Sequence, residues 1–206
     1  LGGKARGLAF MNSMLVKYSQ YAKYENVRVT IPRTVVVATD YFDAFIRNNG
    51  LEYVLTTEMT DEEILSEFVS STLPYKLREA LKAYVRTVSG PLAVRSSSKL
   101  EDSHYQPFAG IYSTYMIPYT EGNEDRQLRL LQKAIKSVYA STYFAASKAY
   151  VQSSQNLIAE EKMAVVIQEV CGTEQDGLFF PTLSGVARSI NYYPIGDETP
   201  EEGVCN

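Results

Sequence analysis

One stretch constrains the architecture of this chain more than any other. From Gln127 to Val151, Leu128, Leu131, Ile135, Val138, Thr142, Ala145 and Ala149 recur at helical spacing, which predicts one long helix with a single apolar stripe. A stripe of that kind is stable only when it is buried against another layer. The layer is at hand, because Ile111 to Ile117 precedes the helix and Met163 to Val170 follows it, both reading as strands. A helix lying on a sheet is therefore the nucleus of the expected fold.

The rest of the chain extends this pattern. Residues 5–20 form one apolar helical face with Leu8, Met11, Leu15 and Tyr18. Val27 to Val37 reads as a strand interrupted at Ile31-Pro32, and Thr39 is placed to cap a helix that Gly50 ends. Thr60 and Glu63 make a capping box for a short helix, and Pro74 suits the first turn of the next, with Leu77, Leu81 and Val85 on one side. Leu92 to Arg95 is a short apolar strand, followed by a polar loop from Ser96 to Gly110. Leu178 to Phe180 and Gly185 to Ile190 are further strands, before an acidic, turn-rich tail. The expected class is α+β, a mixed sheet flanked by helices, in a single domain over 1–206 with a helical insert at about 60–90. The chain opens without Met and stops in mid-pattern, so it reads as a piece of a longer protein whose second lobe would follow residue 206.

Charge and composition exclude several functions. Twenty Lys and Arg stand against 24 Asp and Glu, a net charge of -4, so no basic excess exists to bind a nucleic-acid backbone. The apolar runs are too short for a membrane span. Two cysteines outside any CxxC motif and one histidine, His104, give no zinc signature. Free thiols and the lack of a secretory signal fit the cytoplasm.

Four segments carry candidate chemistry. Gly2-Gly3-Lys4 precedes a helix, where glycines let backbone approach a ligand and helix-start amides favour anions; a plain turn with a solvated lysine fits as well. Ala93-Val94-Arg95-Ser96-Ser97-Ser98 ends a strand in a guanidinium and three hydroxyls. Arg95 either clamps phosphate oxygens in two-point geometry or pairs with Glu101 or Asp102. The loop closes at Phe108-Ala109-Gly110, where Gly110 would let backbone meet phosphate. Gln168, Glu169 and Val170 end the strand from Met163 and could edge a flat apolar slot. The alternative is a core strand with a polar terminus.

Taken in order, GGK and a helix, AVRSSS, ED, FAG and Thr114, the long helix, and MAVVIQEV resemble the nucleotide-binding domain of the phosphoenolpyruvate synthase and pyruvate, phosphate dikinase family, from Leu1 to about Asn191. The resemblance implies the first lobe of a domain related to ATP-grasp enzymes. It implies that Lys4 reaches ATP phosphates, that Arg95 clamps them, that Gly110 and Thr114 cover them, and that Gln168, Glu169 and Val170 lie beside adenine. It also implies phosphoryl transfer from ATP to a histidine on a separate domain, and on to pyruvate or a similar acceptor bound by another domain. Magnesium would take part, with ligands outside this chain, so no metal residue is assigned here. His104 does not correspond to the phosphorylated histidine, and the fragment alone is expected to be inactive. An alternative is a non-catalytic binding or regulatory module that keeps the fold, with the 16 tyrosines serving a protein surface or, less favoured, a carbohydrate.

Overall fold

The structure is a computed structural model that describes residues 1–18, 25–98, 112–153 and 162–206. The chain divides into two compact units, Leu1–Val170 and Cys171–Asn206.

The first unit is built on a four-stranded sheet. Its strands are β1 (Thr34–Val37), β2 (Leu92–Ser97), β3 (Thr114–Ile117) and β4 (Ala164–Glu169). They lie in the order β1-β4-β2-β3, and every described pairing is antiparallel. Strand β4 is central and buried along Ala164–Ile167, as expected of an apolar run with neighbours on both edges. Side chains alternate across a sheet. Leu92, Val94, Ile117, Val165 and Ile167 face one side and join the main core. The helices α2 (Thr39–Asn49), α3 (Asp61–Ser70), α4 (Tyr75–Val85) and α5 (Glu124–Ser141) supply much of the rest of that core, with Leu51, Val54, Leu73 and Tyr143 from segments outside these helices. At its centre Phe42 meets Tyr139 edge-on at 5.0 Å, and Phe45 meets Phe68 at 5.7 Å, geometries that ring quadrupoles favour. The first helix, α1 (Gly3–Lys17), lies against the opposite face. Helices thus flank an antiparallel sheet, in the α+β class expected.

Local chemistry sets most boundaries. The capping box at Thr60 forms, with its hydroxyl accepting from the Glu63 amide and the Glu63 carboxylate from the Thr60 amide. Gly50 ends α2 in the left-handed region at φ 63°, which costs glycine little. Thr39 is the first helical residue of α2, with Ala38 as its cap. Lys136 of α5 donates to the carbonyls of Val69 and Ser71, so a cation closes the C-terminus of α3.

Two longer stretches also differ from expectation, as does Gly185 to Ile190, which is strand only over Ala187–Arg188. The stretch from Val27 to Val37 is strand only over Thr34–Val37, because Pro32 offers no amide to a ladder. The stretch from Gln127 to Val151 is two helices, α5 and α6 (Ala145–Ser153). The break at 142–144 has a visible cause. Asp61 at the start of α3 accepts the Ala145 amide at 2.8 Å and so starts α6, while the Ser147 hydroxyl donates to the Ser141 carbonyl at 2.7 Å. The Ala145 amide and the Ser141 carbonyl at the break are thus both hydrogen-bonded, which limits its cost.

The second unit is small. It holds a hairpin of β5 (Thr173–Gln175) and β6 (Leu178–Phe180) and a second pair of β7 (Ala187–Arg188) with β8 (Val204–Cys205). Asp176 and Gly177 both have positive φ, 53° and 78°, as a tight two-residue hairpin turn requires.

Candidate functional site

The site is assembled where α1 meets the end of β2. Gly2 caps α1 and has no side chain to offer, so the first amides of the helix need partners from elsewhere. The strand supplies them. The Gly3 amide donates to the Ser98 carbonyl at 3.0 Å, and the Ala5 amide donates to the Ser97 hydroxyl at 3.1 Å. Contact is so close that a Cβ on Gly2 would sit 1.8 Å from the Ser97 carbonyl oxygen. Only glycine fits there. Ser96, Ser97 and Ser98 are all buried.

This docking brings two predicted residues to one strand end. The Lys4 ammonium lies 3.4 Å from the Ser96 hydroxyl; Ser96 follows Arg95 at the strand end but alternates to the core face, in register with Val165. The Gly3 and Ala5 amides, however, are already hydrogen-bonded to the strand. They fix the helix rather than offer themselves to an anion, so the positive character here comes chiefly from Lys4, Arg95 and the helix dipole.

The strand register gathers further predicted residues. Arg95 sits beside Thr114 on β3 and Val166 on β4, and in the adjoining row Ala93 lies between Met116 and Gln168. By alternation, Arg95, Thr114, Met116 and Gln168 share the face that α1 flanks, away from the main core. Arg95 is half-buried, Thr114 is exposed, and Met116 is 61% exposed. On that face, between α1 and β1, runs a cleft of about 310 Å³. Ala5, Leu8, Asn12, Thr34 and Val36 are among its lining residues. Among the described residues no carboxylate pairs with the Arg95 guanidinium. Glu101, Asp102, His104 and Gly110 lie outside the described residues.

The end of β4 behaves differently from one residue to the next. The Gln168 amide donates to the Thr34 hydroxyl at 3.1 Å. Glu169 alternates to the opposite side and pairs with Arg33 at 2.8 Å, near the Tyr84 phenol. Burial pushes Tyr84 up to about 12, and the Glu169 charge adds to the shift. The Glu169 and Val170 amides donate to the carbonyls of Arg33 and Pro91. A base lying against these two positions would therefore meet main-chain acceptors, since the donors are used within the sheet.

Several contributors were not singled out from sequence. Thr34 and Arg33 hold the end of β4, and their only signal is a position beside an apolar run. Met116 is the outward apolar residue of an alternating strand. In the sequence Ser97 is only one of three hydroxyls, although a helix opening on a side-chain-less Gly2 signals that its cap comes from another segment. Among the described residues, no group of three or more His, Cys, Asp or Glu side chains could hold a metal ion. No helix of the described residues is long and apolar enough to cross a membrane.

Comparison with known proteins gives consistent results. The family model described as pyruvate phosphate dikinase, AMP/ATP-binding domain, matches residues 1–204. The uncharacterized phosphotransferase YvkC of Bacillus subtilis (strain 168) is 31% identical over 157 residues, covering 73% of this chain and 17% of the relative. The phosphoenolpyruvate synthase of Aeropyrum pernix is 29% identical over 202 residues, covering 87% of this chain and 22% of the relative. The chain thus spans about a fifth of the length of these relatives.

Proposed function

The chain belongs to the pyruvate phosphate dikinase AMP/ATP-binding domain family, and from that premise we propose that it holds ATP for a phosphotransferase that passes the phosphoryl group to a histidine on another domain. The carrying observation is the docking of α1 on β2, which brings Lys4 to the Ser96 hydroxyl at the same strand end that bears Arg95. Lysine supplies a mobile point charge and arginine a planar fork, a combination suited to a polyphosphate. Thr114 beside Arg95 adds a hydroxyl, and Gly110, which lies outside the described residues, keeps the phosphate-covering role that the family resemblance implies. The base lies toward the end of β4, where Gln168, Glu169 and Val170 edge it and the exposed Met116 gives it an apolar surface.

In this reading the chain's own residues bind and orient; phosphoryl transfer rests on positioning and charge neutralisation. ATP supplies the phosphoryl group. Magnesium ligands, the phosphohistidine domain and the domain binding pyruvate or a similar acceptor belong to other segments of the longer protein. The fold is read as the first lobe of an ATP-grasp-like domain working in the cytoplasm. The test is an NMR titration of this chain with ATP. Shifts confined to α1, β2, β3 and the end of β4 support the site. Shifts on the helical side of the sheet, or none, would remove it.

A further inference from the structure

We propose that Ser97 is a positioning residue for Lys4: its hydroxyl caps α1 from outside the helix and so fixes where the lysine stands. The inference rests on the reading of Lys4 as a phosphate ligand. A helix is ordinarily capped by the Ser, Thr, Asp or Asn that precedes it, whose oxygen accepts the amide two or three residues on. Here the preceding residue is Gly2, and α1 has no acidic residue in its first turn. Ser97, 92 residues away, accepts the Ala5 amide instead, the one an N-cap side chain would take.

Three observations make this contact decisive for Lys4. The charge of Lys4 stands in the first turn, where the helix dipole disfavours a cation, so its position must be held by other means. Of the described α1 residues only Gly3 and Ala5 are buried, while Phe10, Met11 and Val16 are half or more exposed. The helix is therefore anchored mainly at the end where Ser97 grips it. Finally, Gly2 permits the approach that makes the grip possible, since any Cβ there would collide with the Ser97 carbonyl.

The experiment is a double-mutant cycle on this chain, with ATP affinity read by NMR titration and Ala5 amide exchange read on the same samples. Ser97→Ala should weaken ATP about fivefold, the typical worth of a helix cap, and speed exchange at Ala5. In a Lys4→Ala background the same change should cost nothing further, because a residue acting through Lys4 has nothing left to act on. Gly2→Ala should reproduce both results from the other side of the contact. Unchanged ATP affinity in Ser97→Ala, an additive loss in the double variant, or loss of the folded core would each overturn the proposal. If neither Lys4→Ala nor Arg95→Ala alters ATP affinity, the nucleotide-site reading itself fails. An effect of Lys4→Ala without one of Ser97→Ala sinks only the positioning role.

Discussion

Arg95 is half-buried on a sheet face, flanked by Thr114 and Val166, with no carboxylate partner among the described residues. A guanidinium held this way contributes little to packing and much to an anion. Arg95→Ala should lower ATP affinity about tenfold or more, the range for hydrogen bonds to charged groups. Arg95→Lys should recover only part of it, because lysine keeps the charge but loses the fork. Thermal melting should shift little in either variant. A drop in melting temperature with affinity retained would assign Arg95 to the fold. Buried phenols give a second prediction at this scale. Burial raises Tyr84 from 10.0 to about 12 and raises Tyr139 and Tyr143 as well. In the unfolded chain these phenols ionise near 10.0, while the folded chain keeps their protons. Their contribution is complete below pH 10.0 and is lost as pH rises through the folded values. Unfolding followed by circular dichroism should therefore begin above pH 10.0 and coincide with the buried share of phenolate absorbance. Full titration of all tyrosines before any unfolding would contradict this.

The elements differ in how far their limits could be read from neighbouring residues alone. The Thr60 capping box and the Gly50 stop are local, involving residues three apart or one left-handed position, and both are legible in sequence. The central strand is legible because Met163 to Val170 is too apolar to lie anywhere but inside. The break between α5 and α6 is not legible, because its cause is the Asp61 carboxylate, 84 residues away; the apolar stripe continues straight through it. Strand β5 is polar and exposed, so periodicity misses it, although Asp176-Gly177 marks the turn. At the site, Lys4, Arg95 and Gln168 are recognisable as polar termini of elements, whereas the cap given by Ser97 joins two segments that no local pattern links. Asp61 serves two helices, as the first residue of α3 and as the acceptor that starts α6. Asp61→Ala should therefore cost about 1 kcal/mol, as for loss of a cap. The loss should be measurable by urea unfolding, with faster amide exchange concentrated at the start of α6. Exchange rising equally throughout the first unit would argue against a local cap.

In the first unit as a whole, a closed core on one side of the sheet contrasts with a site on the other. Phe42, Phe45, Phe68 and Tyr139 lock the helical side, while the α1 side carries Arg95, Ser97, Thr114 and Gln168. Stability and binding can thus be altered separately. Among the described residues Thr114 and Met116 are exposed, so the platform encloses a ligand incompletely, and enclosure is what offsets the entropy of binding. ATP should bind this chain weakly, and magnesium should add little, since the described residues bring no carboxylate cluster to it. Calorimetry with and without magnesium checks this. Tight, magnesium-dependent binding would show that the chain carries a fuller site.

The strand order has a consequence for biosynthesis. One of the sheet's two inner strands is the last of the four to be made: β4 separates β1 from β2, yet it leaves the ribosome after both. Until Ala164–Glu169 emerges, β1 has no partner, and β2 can pair only with β3. From the completion of β3 at Ile117 until β4 emerges, translation thus holds an unfinished sheet in which β1 is unpaired and the inner edge of β2 stands open. Such edges invite pairing with other chains, so the nascent protein is exposed to misassembly until a six-residue insertion closes the gap. Chains stalled before β4 should be protease-sensitive across β1, and those stalled well beyond it should be protected.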